Sequence, residues 1–431
     1  MVRFAQITLI AKHTYRSILN TPINSWLIGA FFALIVIALS SAFVGNNQHQ
    51  HDVGHYSKDV RDRWENNPDK HPHRMAHYGY VAFRSKAPLS FFDRGLDSYL
   101  GNVVFLEAHR QNSVNFSNAS QSSGLLRFGE LSAGLLLQLL FPLLIFFWGF
   151  ASVSEEREKG ISKLYLTQGV SWKEVILGKS LGIFSVSMLI TLPTLLLTLV
   201  FLVFSPNKTS TLSHSLLPFI MIMVSYLVYS LIMSMLSVWV SARSSSSKSA
   251  LIKLIGFWLF FVLIVPKLSQ VTAQTIYPSP SKIAFDTMVE DELRKYQAEL
   301  ISIYQQQNRV VNSMAILYPY LAIKNISMTF SGSDFDAYQI FKEETEEYRY
   351  NLAQTMNDLQ IKYISNNTTS SADKGAVISQ QHWKDFPTFE HRFLTKKEMV
   401  RASAYSVFTL FMWLLVLTFS TIFLTKNIKA F

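Results

Sequence analysis

The sequence predicts an α-helical integral membrane protein with six transmembrane helices and two extracytoplasmic domains, the second a helical hairpin. Three observations carry this reading. Of the 431 residues, 49% are hydrophobic and only 16% charged, which fits a water-soluble surface poorly. Six windows are apolar over the length, about 20 residues of helix, that a bilayer crossing requires. Basic residues concentrate in the short segments between these windows.

Residues 1–25 open the chain. Phe4, Ile7, Ile10, Ala11 and Ile18 recur near one helical face while Arg3, Lys12 and Arg16 are polar, which predicts an amphipathic helix lying on the cytoplasmic interface. The first span, 26–44, has no small-residue cleavage motif behind it and is expected to stay as an anchor. Residues 45–130 are polar and His-rich, with Asn and Ser at 111–124 and a more apolar centre from Tyr78 to Leu106, and predict a small mixed extracytoplasmic domain. The second span, 131–153, runs into a charged loop, 154–180. Spans three and four, 181–204 and 216–240, are separated by a short outer loop at 205–215. Pro142 and Pro193 permit kinks whose freed carbonyls neighbouring helices can satisfy. A loop at 241–249 leads to the fifth span, 250–268, in which Lys253 and Lys267 sit near the two ends, where long stems can snorkel.

The segment 269–401 shows helical periodicity twice. Phe285, Val289, Leu293, Tyr296, Leu300 and Ile303 form one stripe; Tyr338, Phe341, Thr345, Tyr348, Leu352, Thr355, Leu359 and Tyr363 form a second, heptad-like one, with Ser333 and Asp336 as its expected cap. Two helices joined through LYPYLAIKNISMTFSG predict an antiparallel hairpin outside the membrane, followed by a flexible link, NNTTSSADKG, at 366–375. The sixth span, 402–425, and a short tail, 426–431, end the chain.

Charge sets the orientation. With six spans, segments 1–25, 154–179, 242–253 and 425–431 share one side and hold thirteen Lys or Arg against four acids. The long segments are near balance, ten basic against nine acidic residues in 46–130 and thirteen against sixteen in 269–400. The short segments, and with them both termini, are therefore expected in the cytoplasm. A multi-pass protein of a bacterial cytoplasmic (inner) membrane is the expected setting. The net charge of +10 mostly reflects this asymmetry and gives no reason to expect nucleic-acid binding.

Absence of cysteine excludes disulfides, thiolate metal sites and a cysteine nucleophile. The run GVSWKEVILGKS resembles the end of a Walker A loop, but Lys173 fills the first glycine position and no strand precedes it. The chain is expected to bind no ATP itself and to be a transport subunit rather than an enzyme.

The loop has a closer likeness. A span runs into the charged patch Glu155, Glu156, Arg157, Glu158, Lys159 and Gly160, then a short helix, then Val170, Ser171, Glu174, Gly178 and Lys179 leading into the next span. In this the chain resembles ABC-2 type transporter permeases. Residues 72–112 and 317–357 narrow the likeness to permeases of the DUF3526 family. The resemblance implies that this loop docks into a separate ABC ATPase subunit, which binds ATP and Mg, and passes its movement to the spans. It also implies a second permease copy or paralogue in a dimer within the lipid bilayer.

Two His-x-His-x3-His triplets, His49 to His55 and His71 to His77, hold six of the eleven histidines. His73 and His77 lie one helical turn apart and His109 is a possible third ligand, so these three are candidates for Zn or Cu, the ions imidazole suits where no cysteine is present. They could equally hydrogen-bond backbone and aromatic neighbours. Three functions follow in order of fit: the permease of an ATP-driven exporter; a force-transmitting ABC membrane subunit acting through its outer domains on an envelope partner such as a lipoprotein; and a metal-handling or surface enzyme protein built on the His cluster.

Overall fold

The fold rests on a computed structural model that describes residues 3–108, 110–111, 131–205, 211–279, 302–311, 313–314, 318–364, 377–423 and 425. Six of its helices are long and apolar enough to cross a membrane, as an α-helical integral membrane protein requires. The chain divides into two compact units, one built from Met1–Ser41, Leu131–Phe330 and Lys396–Phe431, the other from Ala42–Glu130 and Ser331–Thr395.

In the first unit, α1 (Phe4–Leu19) precedes α2 (Pro22–Glu65). The second span is α4 (Ala133–Leu139) and α5 (Phe141–Gly149), broken where Pro142 removes a helical donor. After α6 (Ser154–Glu158) and α7 (Ile161–Thr167) come α8 (Trp172–Val203) and α9 (Thr211–Arg243). Helix α8 carries Pro193 without interruption. The fifth span is α10 (Ser247–Leu259), a π-helical turn at Phe260–Ile264, and α11 (Val265–Ile276). Helices α12 (Pro319–Ser331) and α15 (Lys396–Phe423) complete the unit.

Helix α9 is central and packs against α5, α8, α10 and α15. Its buried Ser230, Ser234, Ser237 and Ser241 keep that face narrow, and a Cβ built on Gly149 of α5 would collide with Ser237. Small residues allow backbones to approach closely where lipid supplies no hydrophobic drive between helices. The hydroxyls of Ser234 and Ser237 return to carbonyls of their own helix.

Helix α1 forms over the expected amphipathic stretch and packs against α8. Ile7, Thr14 and Ile18 are buried, and built Cβ atoms on Gly178 and Gly182 would come within 2.7 Å of Ile10 Cβ and of the Ala11 carbonyl. The apolar residues Phe4 and Leu9 face outward instead. The linking stretch expected at 317–332 is different: α12 is a helix in its own right, with Leu321, Ala322, Ile323 and Ile326 buried. Tyr226 of α9 donates to Ser327 of α12 at 3.0 Å.

The second unit has its own core. Helix α2 does not stop at Val44 but continues to Glu65, so Trp64 reaches this core. Next come α3 (Pro72–Tyr78) and an antiparallel sheet in the order β1 (Tyr80–Phe83), β2 (Val103–Glu107), β3 (Arg110–Gln111). Tyr80 pairs with Leu106 and Phe83 with Val103, which buries alternate residues on one face. Gly79, at φ 72°, turns α3 into β1 where a side chain would strike the Phe105 ring.

Helix α13 (Phe335–Tyr363) buries Phe341, Thr345, Tyr348 and Leu352 as the heptad-like pattern predicts, whereas Met356 rather than Thr355 continues the seam and Tyr363 is exposed. Asp334, not Ser333, caps it, accepting from Ala337 N at 2.9 Å. Its partners are α3, β2 and the stretch carrying Trp383 of α14 (Gln381–Lys384) and Phe386. The expected hairpin partner, centred on Phe285 to Leu300, lies outside the described residues, as does the 366–375 link. The two segments expected as separate outer domains therefore share one core, tied by Arg61 to Lys384 O, Trp64 to Trp383 O and Arg349 to Ala108 O.

Candidate functional site

The loop between α5 and α8 holds most of the candidate residues, and the local sequence dictates its shape. Gly160 adopts φ 75°, the left-handed region that a side chain disfavours, and so separates α6 from α7. At the far end Ser171 accepts from Glu174 N while Glu174 accepts from Ser171 N at 2.8 Å, a capping box that starts α8.

Most of the charges face inward. Glu156 pairs with Lys179 Nζ at 2.7 Å, and Lys179 also donates to Ser152 O at 2.5 Å. Tyr165 of α7 donates to the other Glu156 oxygen at 3.1 Å, and burial together with that carboxylate pushes the phenol far above its usual range. Arg157 donates to the carbonyls of Ala242 and Ser244 at 3.0 and 2.6 Å, at the end of α9. Glu158 accepts from Ser247 N at 2.8 Å, at the first residue of α10. Ser241 Oγ accepts from the backbone N–H groups of Val153 and Ser154, each at 3.1 Å. The patch thus clamps α6 onto α8, α9 and α10.

Glu174 is fully enclosed. Besides Ser171 it accepts from Arg3 N at 2.9 Å and Arg3 Nε at 3.2 Å, while the same guanidinium reaches Gly169 O. Arg3 therefore ties α1 to the loop, a contact that nothing in the spacing of the sequence signals. Of the expected coupling residues Glu158 and Lys159 are exposed, and Glu155 and Gly160 are half-buried. Lys159 pairs with Glu155 at 2.6 Å, and that hydrogen bond raises the ammonium's pKa.

The outward face of the loop is instead α7. Ile161 and Leu164 are 41% and 64% exposed, with Lys163 between them. Two apolar side chains beside a cation thus stand on the exposed face of a short helix that is braced from behind.

The histidines sit in the other unit. The first triplet lies along α2 and does not converge: His49 is half-buried against Arg84 O at 3.0 Å, while His51 and His55 pair outward with Asp52 and Asp59 at 3.6 and 3.4 Å. In the second, His71 caps α3 by accepting from His73 N, and His73 Nε2 and His77 Nε2 are 3.2 Å apart. His109 lies outside the described residues. Among the described residues no group of three or more His, Asp or Glu is placed to hold a metal.

A family profile described as ABC-2 family transporter protein matches residues 9–424. No curated protein matches the chain.

Proposed function

The chain belongs to the ABC-2 family of transporter proteins, and from that premise we propose that it is the permease subunit of an ATP-driven exporter, driven by a separate ABC ATPase that docks on α7. The single observation supporting this is the braced exposed face of Ile161, Lys163 and Leu164. Force applied there reaches α8 through Glu156 and Lys179, α9 through Arg157, α10 through Glu158 and α1 through Arg3. Packed elements held by buried polar pairs move together, so docking and release at α7 would reset four helices at once. A second copy or a related permease completes the membrane dimer, in a bacterial inner membrane with both termini in the cytoplasm.

The test is a pair of substitutions, Ile161→Asp and Leu164→Asp. Both side chains are exposed, so the chain should insert and melt as before while the ATPase subunit no longer co-purifies and ATP-driven transport is lost. Retention of the ATPase with wild-type activity would place the docking surface elsewhere.

The shared core of residues 42–108 and 331–395 favours a second reading, in which this unit transmits force to an envelope partner such as a lipoprotein. Cross-linking from exposed Tyr350 to such a protein in intact cells would support it over solute export.

A further inference from the structure

We propose that His73 and His77 form a two-histidine chelate for a divalent late transition-metal ion, Cu2+ or Zn2+, with water completing the coordination. The spacing of the two imidazoles suits such a chelate. Metal–nitrogen bonds of about 2.0–2.1 Å place two ligand nitrogens about 2.9 Å apart at a right angle and about 3.3 Å apart at the tetrahedral angle. The observed separation of the two Nε2 atoms, 3.2 Å, lies between these values.

The backbone that presents them is held on its other side. Met75 and Ala76 are buried in the core shared with α13, so α3 cannot roll, and His71 with Pro72 fixes its first turn. His77 is exposed and His73 half-buried, which leaves the pair open to a hydrated ion. Nitrogen-only ligation without thiolates suits Cu2+ and Zn2+, with Cu2+ the tighter by the usual divalent order. In the metal-free pair one imidazole donates Nε2–H to the other; coordination moves that proton to Nδ1 of the same ring and frees both Nε2 lone pairs, with no net proton released.

The competing assignment is a purely structural hydrogen bond, and the experiment separates the two. Full-length protein purified in detergent is dialysed against CuSO4 or ZnSO4, its retained metal counted by mass spectrometry, and the Cu2+ form examined by electron paramagnetic resonance. One equivalent per chain is expected, with two strongly coupled nitrogens. His73→Gln and His77→Gln, which keep hydrogen-bonding side chains, should each lose that equivalent without a change in the melting temperature of the metal-free protein. The double variant His51→Gln/His55→Gln should keep it. No retained metal, retention unchanged in His77→Gln, or loss only in the His51/His55 variant would overturn the proposal.

Discussion

Lys179 illustrates how far a single residue's role depends on its neighbours. The sequence marks it as part of a charged loop, but its ammonium is buried between the Glu156 carboxylate and the Ser152 carbonyl. Lys179→Met leaves the Glu156 carboxylate, whose side chain is only 27% exposed, without its cation, which should cost about 2–3 kcal/mol after allowing for that exposure. The double variant Glu156→Gln/Lys179→Met should recover part of the loss, as the uncompensated charge is gone. Thermal unfolding in detergent reads both; equal melting temperatures for the single variant and wild type would mean the pair is not formed. For the same reason, reversing charge at Glu156 would disturb the fold and could not report on docking alone. The types of the loop residues were legible from spacing, whereas their inward direction was not, because it depends on the backbone carbonyls at 242 and 244, about ninety residues away, which no local pattern encodes. Likewise Asp334 displaces Ser333 as cap through the φ 66° turn at Gly332, a one-residue shift that sequence reasoning rarely resolves.

Among the elements, α1 forms as its pattern predicts and gains a partner that the pattern does not name. Its amphipathic pattern implies an apolar face, but periodicity does not say that part of it is covered by protein, which the close approach of Gly178 and Gly182 in α8 allows. Gly182→Val would drive a side chain into the Ala11 carbonyl and Thr14 and should release α1, seen as faster amide hydrogen exchange over 4–19, whereas Gly29→Val in open space should leave exchange unchanged. Slow exchange in the Gly182 variant would place α1 elsewhere. At the α6 to α7 junction, Gly160→Val forces a β-branched residue to φ 75° and should cost about 1–2 kcal/mol. With nothing near its Cβ, the clash is purely conformational, so Gly160→Asn should be milder than Gly160→Val in the same unfolding measurement. The six spans themselves were legible because hydropathy over 20 residues is a strong signal; the π turn at Phe260–Ile264 and the short helix α12 were not, since both depend on tertiary packing.

For the whole molecule, the shared core of the second unit constrains topology independently of charge. Trp64, at the end of α2, and Phe341, in α13, belong to one core and so must lie on the same side of the membrane. The chain between Glu65 and Phe335 must then cross an even number of times. The second, third and fourth spans supply three crossings, and α12, at 13 residues, is too short to make another. Among the described residues, the segment between Glu65 and Phe335 that is long and apolar enough for the fourth crossing is the fifth span, interrupted by its π turn and with few residues buried. Because the chain has no cysteine, single introduced thiols can report this without background. Lys58→Cys and Tyr350→Cys, both exposed and in the same unit, should react alike with a membrane-impermeant maleimide added to intact cells, and the proposed orientation has both outside. Lys163→Cys, on the proposed docking face of α7, should react only after the membrane is opened. Opposite accessibility of the 58 and 350 positions would break the shared core and with it the six-span arrangement. Equal labelling of both from inside, with Lys163→Cys labelled from outside, would keep the core but invert the orientation, and α7 could then receive no cytoplasmic ATPase.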